Sequence, residues 1–212
     1  MSIIENYNRI YNLINVYKNK TKLIIVTKNQ DLNKIKLIIN QGHKHFGENR
    51  VQEAKEKWSK IVAEDININL HLVGKLQSNK SKEAHNLFDY IHSLDNEKLA
   101  KSLSLIENSS SRKIKYFVQV NIGNEPQKNG LEITLVKDFV YYCKNELKLN
   151  IIGLMCIPPL ITDPTNYFLQ LKKLAEINNL QELSMGMSND FEKAIKCGAT
   201  FVRIGSSIFN ES

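Results

Sequence analysis

"LSMGMSNDFEKAIKCGATFVRIGSSIF", residues 183–209, holds a strand, a helix and a second strand within twenty-seven residues. The helix is punctuated at both ends. Ser188, Asn189 and Asp190 are N-cap candidates, Glu192 stands three after Asn189 for a capping box, and Gly198 is the C-terminal stop. "ELSMG" (182–186) and "TFVRIG" (200–205) flank that helix as short apolar runs. A strand, a crossing helix and a strand so close together form a right-handed βαβ unit, and such units build parallel sheets.

The same alternation runs along the whole chain. Further strands are expected at "KLIIVTK" (22–28), "KHFGEN" (44–49), "NLHLVGK" (69–75), "YIHSL" (90–94), "KYFVQVN" (115–121) and "IIGLMCI" (151–157). Amphipathic stretches lie between them, at about 31–41, 50–63, 79–88, 96–108, 131–147 and 165–179. Eight strand–helix repeats favour a closed (β/α)8 barrel of the TIM type over an open sheet, and 212 residues sit near the lower size limit of that fold. No room for a final helix is expected after the eighth strand, whereas an extra N-terminal helix, about 2–19, precedes the first strand and is expected to cover the gap beside strand eight. No Pro/Gly-rich hinge or low-complexity tract divides residues 1–212, so one domain is expected.

Composition excludes several classes. The net charge of +7 and pI near 9.2 raise the question of a nucleic-acid partner. The lysines do not gather into a basic block, however, and no aromatic residues interleave with a basic stripe, so no nucleic acid is expected. No apolar run approaches the roughly 20 residues that cross a bilayer, and the start "MSIIENYNRI" lacks a basic segment followed by an apolar block. A cytoplasmic protein without membrane contact is the expectation. Cys143, Cys156 and Cys197 are odd in number and widely spaced, which suggests neither disulfides nor zinc.

In a parallel barrel the site forms at the C-terminal strand ends. On the first strand Ile24, Val26 and Lys28 share a face, so Lys28 is expected at the mouth, aimed inward. A lysine desolvated at an apolar rim becomes a usable amine nucleophile, as a Schiff base with an aldehyde requires; a lysine snorkelling to water is the plainer alternative. On the last strand Phe201, Arg203 and Gly205 alternate with Val202 and Ile204. If the first set faces inward, Arg203 is a buried charge in need of an acceptor. Gly205, Ser206 and Ser207, with Ser188 after strand seven, supply amides and hydroxyls where such barrels hold phosphate. An amine, a phosphate cradle and an arginine together describe a pyridoxal 5'-phosphate (PLP) site, with Lys28 as the Schiff-base lysine and Arg203 opposite the pyridine nitrogen, which it would keep unprotonated. His43, His45 and His71 have no metal spacing, so packing is their expected role and no metal is expected. Lys75 is a candidate second amine, although a solvated rim lysine is the simpler reading; Asn79 and Lys80 could cap the next helix.

The segments "VTK" (26–28), "HFGENRVQE" (45–53), "HLVGKLQSNK" (71–80), "VNIGNEPQKNG" (120–130), "GLMCIPP" (153–159) and 183–209 closely resemble the pyridoxal-phosphate homeostasis family, single barrels similar to the N-terminal domain of alanine racemase. The resemblance spans nearly the whole chain in order. It implies PLP held on Lys28, with Ser188, Arg203, Gly205 and Ser206 as ring or phosphate contacts and Asn49 near the cofactor. It also implies a role in vitamin B6 homeostasis and supply, with indirect effects on amino-acid metabolism and with PLP-dependent apoenzymes as recipients. The expected state is a monomer or weak dimer. The competing reading is a PLP-dependent amino-acid racemase of weak activity; such enzymes add a β-domain with a second catalytic base, and no tyrosine here stands at a defensible strand end.

Overall fold

The computed structural model describes residues 1–17, 20–62, 67–160 and 163–210. Its eight parallel strands close a barrel in sequence order: β1 (Lys22–Val26), β2 (His45–Glu48), β3 (Asn69–Leu72), β4 (Tyr90–Leu94), β5 (Lys115–Val120), β6 (Ile151–Cys156), β7 (Glu182–Ser184) and β8 (Phe201–Ile204). Closure is made by β1 against β8, with Ile24 opposite Arg203 and Ile25 opposite Ile204. The helices around it are α1 (Ile3–Val16), α2 (Leu32–Ile39), α3 (Val51–Val62), α4 (Ser81–Leu87), α5 (Glu97–Asn108), α6 (Val136–Tyr141), α7 (Thr165–Ile177), α8 (Phe191–Lys196) and the single turn α9 (Ser206–Phe209).

Strand alternation sorts the apolar residues into two shells. Ile24, Tyr90, Phe117, Met155 and Phe201 pack inside the barrel. A larger layer, including Ile25, Phe46, Trp58, Leu72, Ile91, Val118, Leu154 and Val202, lies between the strands and the helices. The N-terminal helix does cover the β8 side, since the Asn6 amide donates to the Ile208 and Asn210 carbonyls at 3.3 and 3.4 Å. Ser2 and Glu5 close a reciprocal capping box at its start.

Several boundaries differ from the sequence expectations, each for a local reason. β1 stops at Val26 because Asn29 turns the chain with φ of 58°. The expected helix 131–147 starts late because the Leu131 amide and carbonyl bond to Gln119 and Asn121 on the strand β5 side; it opens with a 3-10 turn at Ile133–Leu135 and ends in a π turn at Tyr142–Glu146. The capping box expected before α8 does not form. Asp190 Oδ1 accepts from the Met187 amide at 2.6 Å, and the Glu192 carboxylate accepts from the Tyr17 hydroxyl at 2.9 Å. Asn79 and Lys80 lie in a 3-10 turn without side-chain capping, and Lys80 pairs with Glu83 instead. A final helix exists after all, as the one-turn α9. The expected ends of the first and third helices at 18–19 and 63 lie outside the described residues.

Candidate functional site

The loops after β1, β7 and β8 meet on neighbouring strands at the C-terminal rim. Lys28 is exposed, in the turn that follows β1 and not on the strand itself. That turn is gripped on both sides by α3. Lys57 Nζ donates to the Thr27 carbonyl at 2.6 Å, and the Asn29 amide donates to Glu53 Oε1 at 2.6 Å. Beneath it Glu48, fully buried on the outward face of β2, accepts at one oxygen from Thr27 Oγ1 (2.6 Å), Lys57 Nζ (2.8 Å) and Trp58 Nε1 (2.8 Å). The sequence reading missed this cluster. A carboxylate in the apolar run "HFGE", followed by a lysine nine residues later on a helix, was its available signal.

Arg203 points into the barrel, as alternation implies, and is 5% exposed. Its Nη1 donates to Ser184 Oγ at 2.7 Å and its Nη2 to the Cys156 carbonyl at 2.9 Å. Among the described residues no carboxylate pairs with it, so a buried cation keeps donors for a further acceptor. The same charge acts on Cys156, yet burial prevails and pushes that thiol up to about 12.

At the rim Ser206 Oγ and Ser188 Oγ lie 3.0 Å apart, joining the β7 and β8 loops. The amides that open α9 have no acceptor within the helix. Gly205 must be bare: a Cβ there would meet the Val26 carbonyl oxygen at 2.8 Å. Gly186 takes φ of +92° directly below the Ser188 loop. Asn49 is half-buried just past β2, with its backbone against Gly74, where any Cβ would strike the Asn49 carbonyl. Paired hydroxyls, amides without an intrahelical acceptor and a guanidinium without a carboxylate among the described residues suit a phosphorylated ligand with a ring acceptor. Lys75 is exposed at the rim and donates to Asn129 Oδ1 at 2.8 Å. No group of metal-ligand type assembles among the described residues, and no described helix is long and apolar enough to cross a membrane.

The family model for the alanine racemase N-terminal domain matches residues 2–212. Similarity extends to the pyridoxal phosphate homeostasis proteins of Haemophilus influenzae, 34% identical over 99% of this chain and 95% of the relative, and of Aquifex aeolicus, 35% identical over 92% and 88%. Among solved structures, PipY of Synechococcus elongatus with PLP bound superposes with a TM-score of 0.89 at 33% identity, covering 99% of this chain and all of the other. Alanine racemase of Clostridium difficile shares the fold, with a TM-score of 0.76 at 13% identity, and this chain spans 57% of its length. The fold and its rim thus define a barrel of the alanine racemase N-terminal class. Within that class, the chain belongs to the pyridoxal phosphate homeostasis protein family.

Proposed function

We propose that this chain binds PLP at the C-terminal mouth, holds it covalently through Lys28 and takes part in intracellular PLP homeostasis and supply. When bound, PLP supplies an aldehyde that an amine can hold and a phosphate that anchors it. Lys28 offers the amine from a turn fixed by Glu53 and Lys57. Ser188 and Ser206, with the amides that open α9 and the clearance at Gly205, hold the phosphate. Arg203 faces the ring nitrogen and, as a permanent donor, keeps it unprotonated; Asn49 lines the same mouth. A ring so held is a weak electron sink, which suits storage and delivery to apoenzymes better than turnover.

The observation that supports this reading most strongly is Arg203: a buried guanidinium without a carboxylate among the described residues, on the strand beside β1, whose following turn carries Lys28. A carrier is favoured over a racemase because every tyrosine lies on a helix, in a helix-flanking turn or at an N-terminal strand end, leaving the mouth without a phenolic base among the described residues. The deciding experiment is an absorption spectrum of the purified protein with added PLP, then borohydride reduction and peptide mass mapping. A yellow absorption band with the reduced adduct on the Lys28 peptide is expected for a lysine-bound PLP. Absence of both after loading would assign the mouth to another phosphorylated ligand.

A further inference from the structure

Beneath the mouth, polar side chains form one continuous line through the barrel. Arg203 donates to Ser184 Oγ at 2.7 Å. Ser184 Oγ lies 2.9 Å from His92 Nδ1, His92 Nε2 lies 3.0 Å from His71 Nδ1, and His71 Nε2 lies 3.0 Å from His45 Nδ1. Ser184, His71 and His92 are fully buried, while His45 is half-buried and lines a cleft of about 440 Å³ at the opposite, N-terminal face. His71 and His92 also stack on Tyr90 and Phe117, with ring centroids 4.2 Å apart in each case.

The hydrogen-bond inventory gives the line a direction. A guanidinium only donates, so Ser184 Oγ accepts from Arg203 and its one proton goes to its only other side-chain partner among the described residues, His92 Nδ1. His92 is then protonated at Nε2 and donates to His71 Nδ1; His71 is protonated at Nε2 and donates to His45 Nδ1. Every Nδ1 is occupied as an acceptor, so no imidazole lone pair along the line is left for solvent. The opposite direction would strand the buried Ser184 proton without an acceptor.

We propose that His92, His71 and His45, acting through Ser184, are positioning residues for Arg203, and that the line couples the mouth to His45 at the far face. Arg203 sets the tautomer of every ring below it. By reciprocity, a proton taken up at His45 Nδ1 breaks the His45–His71 link and loosens the seat of Arg203. His43 and Lys44 on its own segment, Lys22 from β1 and Lys115 from β5 oppose that proton, and the rings of His71 on β3 and Tyr90 on β4 pack against His45. Burial and these cations hold His45 down at about 4, and burial holds His71 and His92 well below the usual histidine range.

The role of Arg203 toward a pyridine ring rests on the proposed function; the direction of the line does not. Ring nitrogen shifts of the 15N-labelled, cofactor-free chain read the tautomers directly. His92 and His71 are expected as neutral Nε2–H rings at pH 7, and an Nδ1–H or cationic form of either would overturn the assignment. Ser184→Ala is expected to shift the resonances of His45 at the other end of the barrel, with Ser184→Thr restoring them; an unmoved His45 in the folded alanine variant would overturn the coupling. His45→Ala, at the half-buried end, keeps the idea testable if both Ser184 variants fail to fold: His71 should remain a neutral Nε2–H ring, because His92 still donates to its Nδ1, while its Nε2 resonance shifts on losing the His45 acceptor, and an unmoved Nε2 or a switch to Nδ1–H would count against the line. With PLP added, Ser184→Ala is expected to weaken binding roughly tenfold or more while Ser184→Thr restores it, and unchanged affinity would remove the positioning role. If the wild-type chain binds no PLP, the proposed function fails while the tautomer measurements still decide the line.

Discussion

Lys57 Nζ sits 2.8 Å from the buried Glu48 carboxylate and, with the same ammonium, 2.6 Å from the carbonyl of Thr27, the residue before Lys28. One cation therefore neutralises a charge under the sheet and shapes the turn that presents the amine. Glu48 Oε2 has no hydrogen-bond partner among the described residues, so the bonds to Oε1, from Lys57, Thr27 and Trp58, are what offsets the burial of the carboxylate. Lys57→Met leaves that carboxylate unpaired and is expected to cost about 3–5 kcal/mol, lowering the melting temperature by roughly 6–20 °C. Thermal unfolding followed by circular dichroism measures it; a loss under about 1 kcal/mol would show that the Lys57–Glu48 pair adds no net stability.

Lys28→Ala should remove the borohydride-stable PLP adduct altogether and leave weaker binding anchored by the phosphate contacts. Mass mapping after reduction tests this. An adduct that persists in the variant would have to sit on another amine, and Lys75 at the same rim, now bonded to Asn129, is the first place to look.

Gly205→Ala inserts a methyl group 2.8 Å from the Val26 carbonyl oxygen, where the obstacle is backbone and cannot rotate away. Separation of β1 from β8 at the rim is expected, with a stability loss of about 1–3 kcal/mol and weaker PLP binding. Urea unfolding and an absorbance titration measure the two effects; wild-type values in both would mean that the rim yields without cost.

Acid should destabilise the chain earlier than carboxylate titration alone would. Burial lowers His43 and His45 to about 4, against about 6.5 in the unfolded chain. Between those values the unfolded state binds more protons than the folded one, so stability is full above pH 6.5 and is lost as the pH falls toward 4. At pH 5 each of these rings should have lost about 2 kcal/mol. Urea midpoints at pH 7 and pH 5 provide the measurement, and equal midpoints would mean that these rings are charged in the native state. The lowered carboxyls of Glu53 and Asp163 add their loss only below about 4.5.

Alternation along single strands was enough to read the barrel, the inward direction of Arg203 and the rim position of Gly205, because each depends only on which face a residue takes. It also held the clue to the histidine line: His71, His92 and Ser184 are polar residues at the inward positions of otherwise apolar strands, and the sequence reading assigned His71 to packing. What one strand cannot supply is the register between strands, which brings a ring on β3 to a ring on β4 and a hydroxyl on β7. The grip of α3 on the Lys28 turn was likewise illegible, since Glu53 and Lys57 look like an ordinary i,i+4 surface pair until the fold lays Thr27 and Asn29 beside them.

That grip has a kinetic meaning. With residues 27 and 29 fastened to a helix, backbone motion adds little to the wandering of the Lys28 amine, whose reach is set by its own flexible stem. Few orientations must be searched before the nitrogen meets an aldehyde at the mouth, so its effective concentration there is high from the moment the chain is folded. On the proposed function, capture would then be a matter of encounter, and the residence time of the guest would be governed by how readily a bond to Lys28 is exchanged for one to another amine.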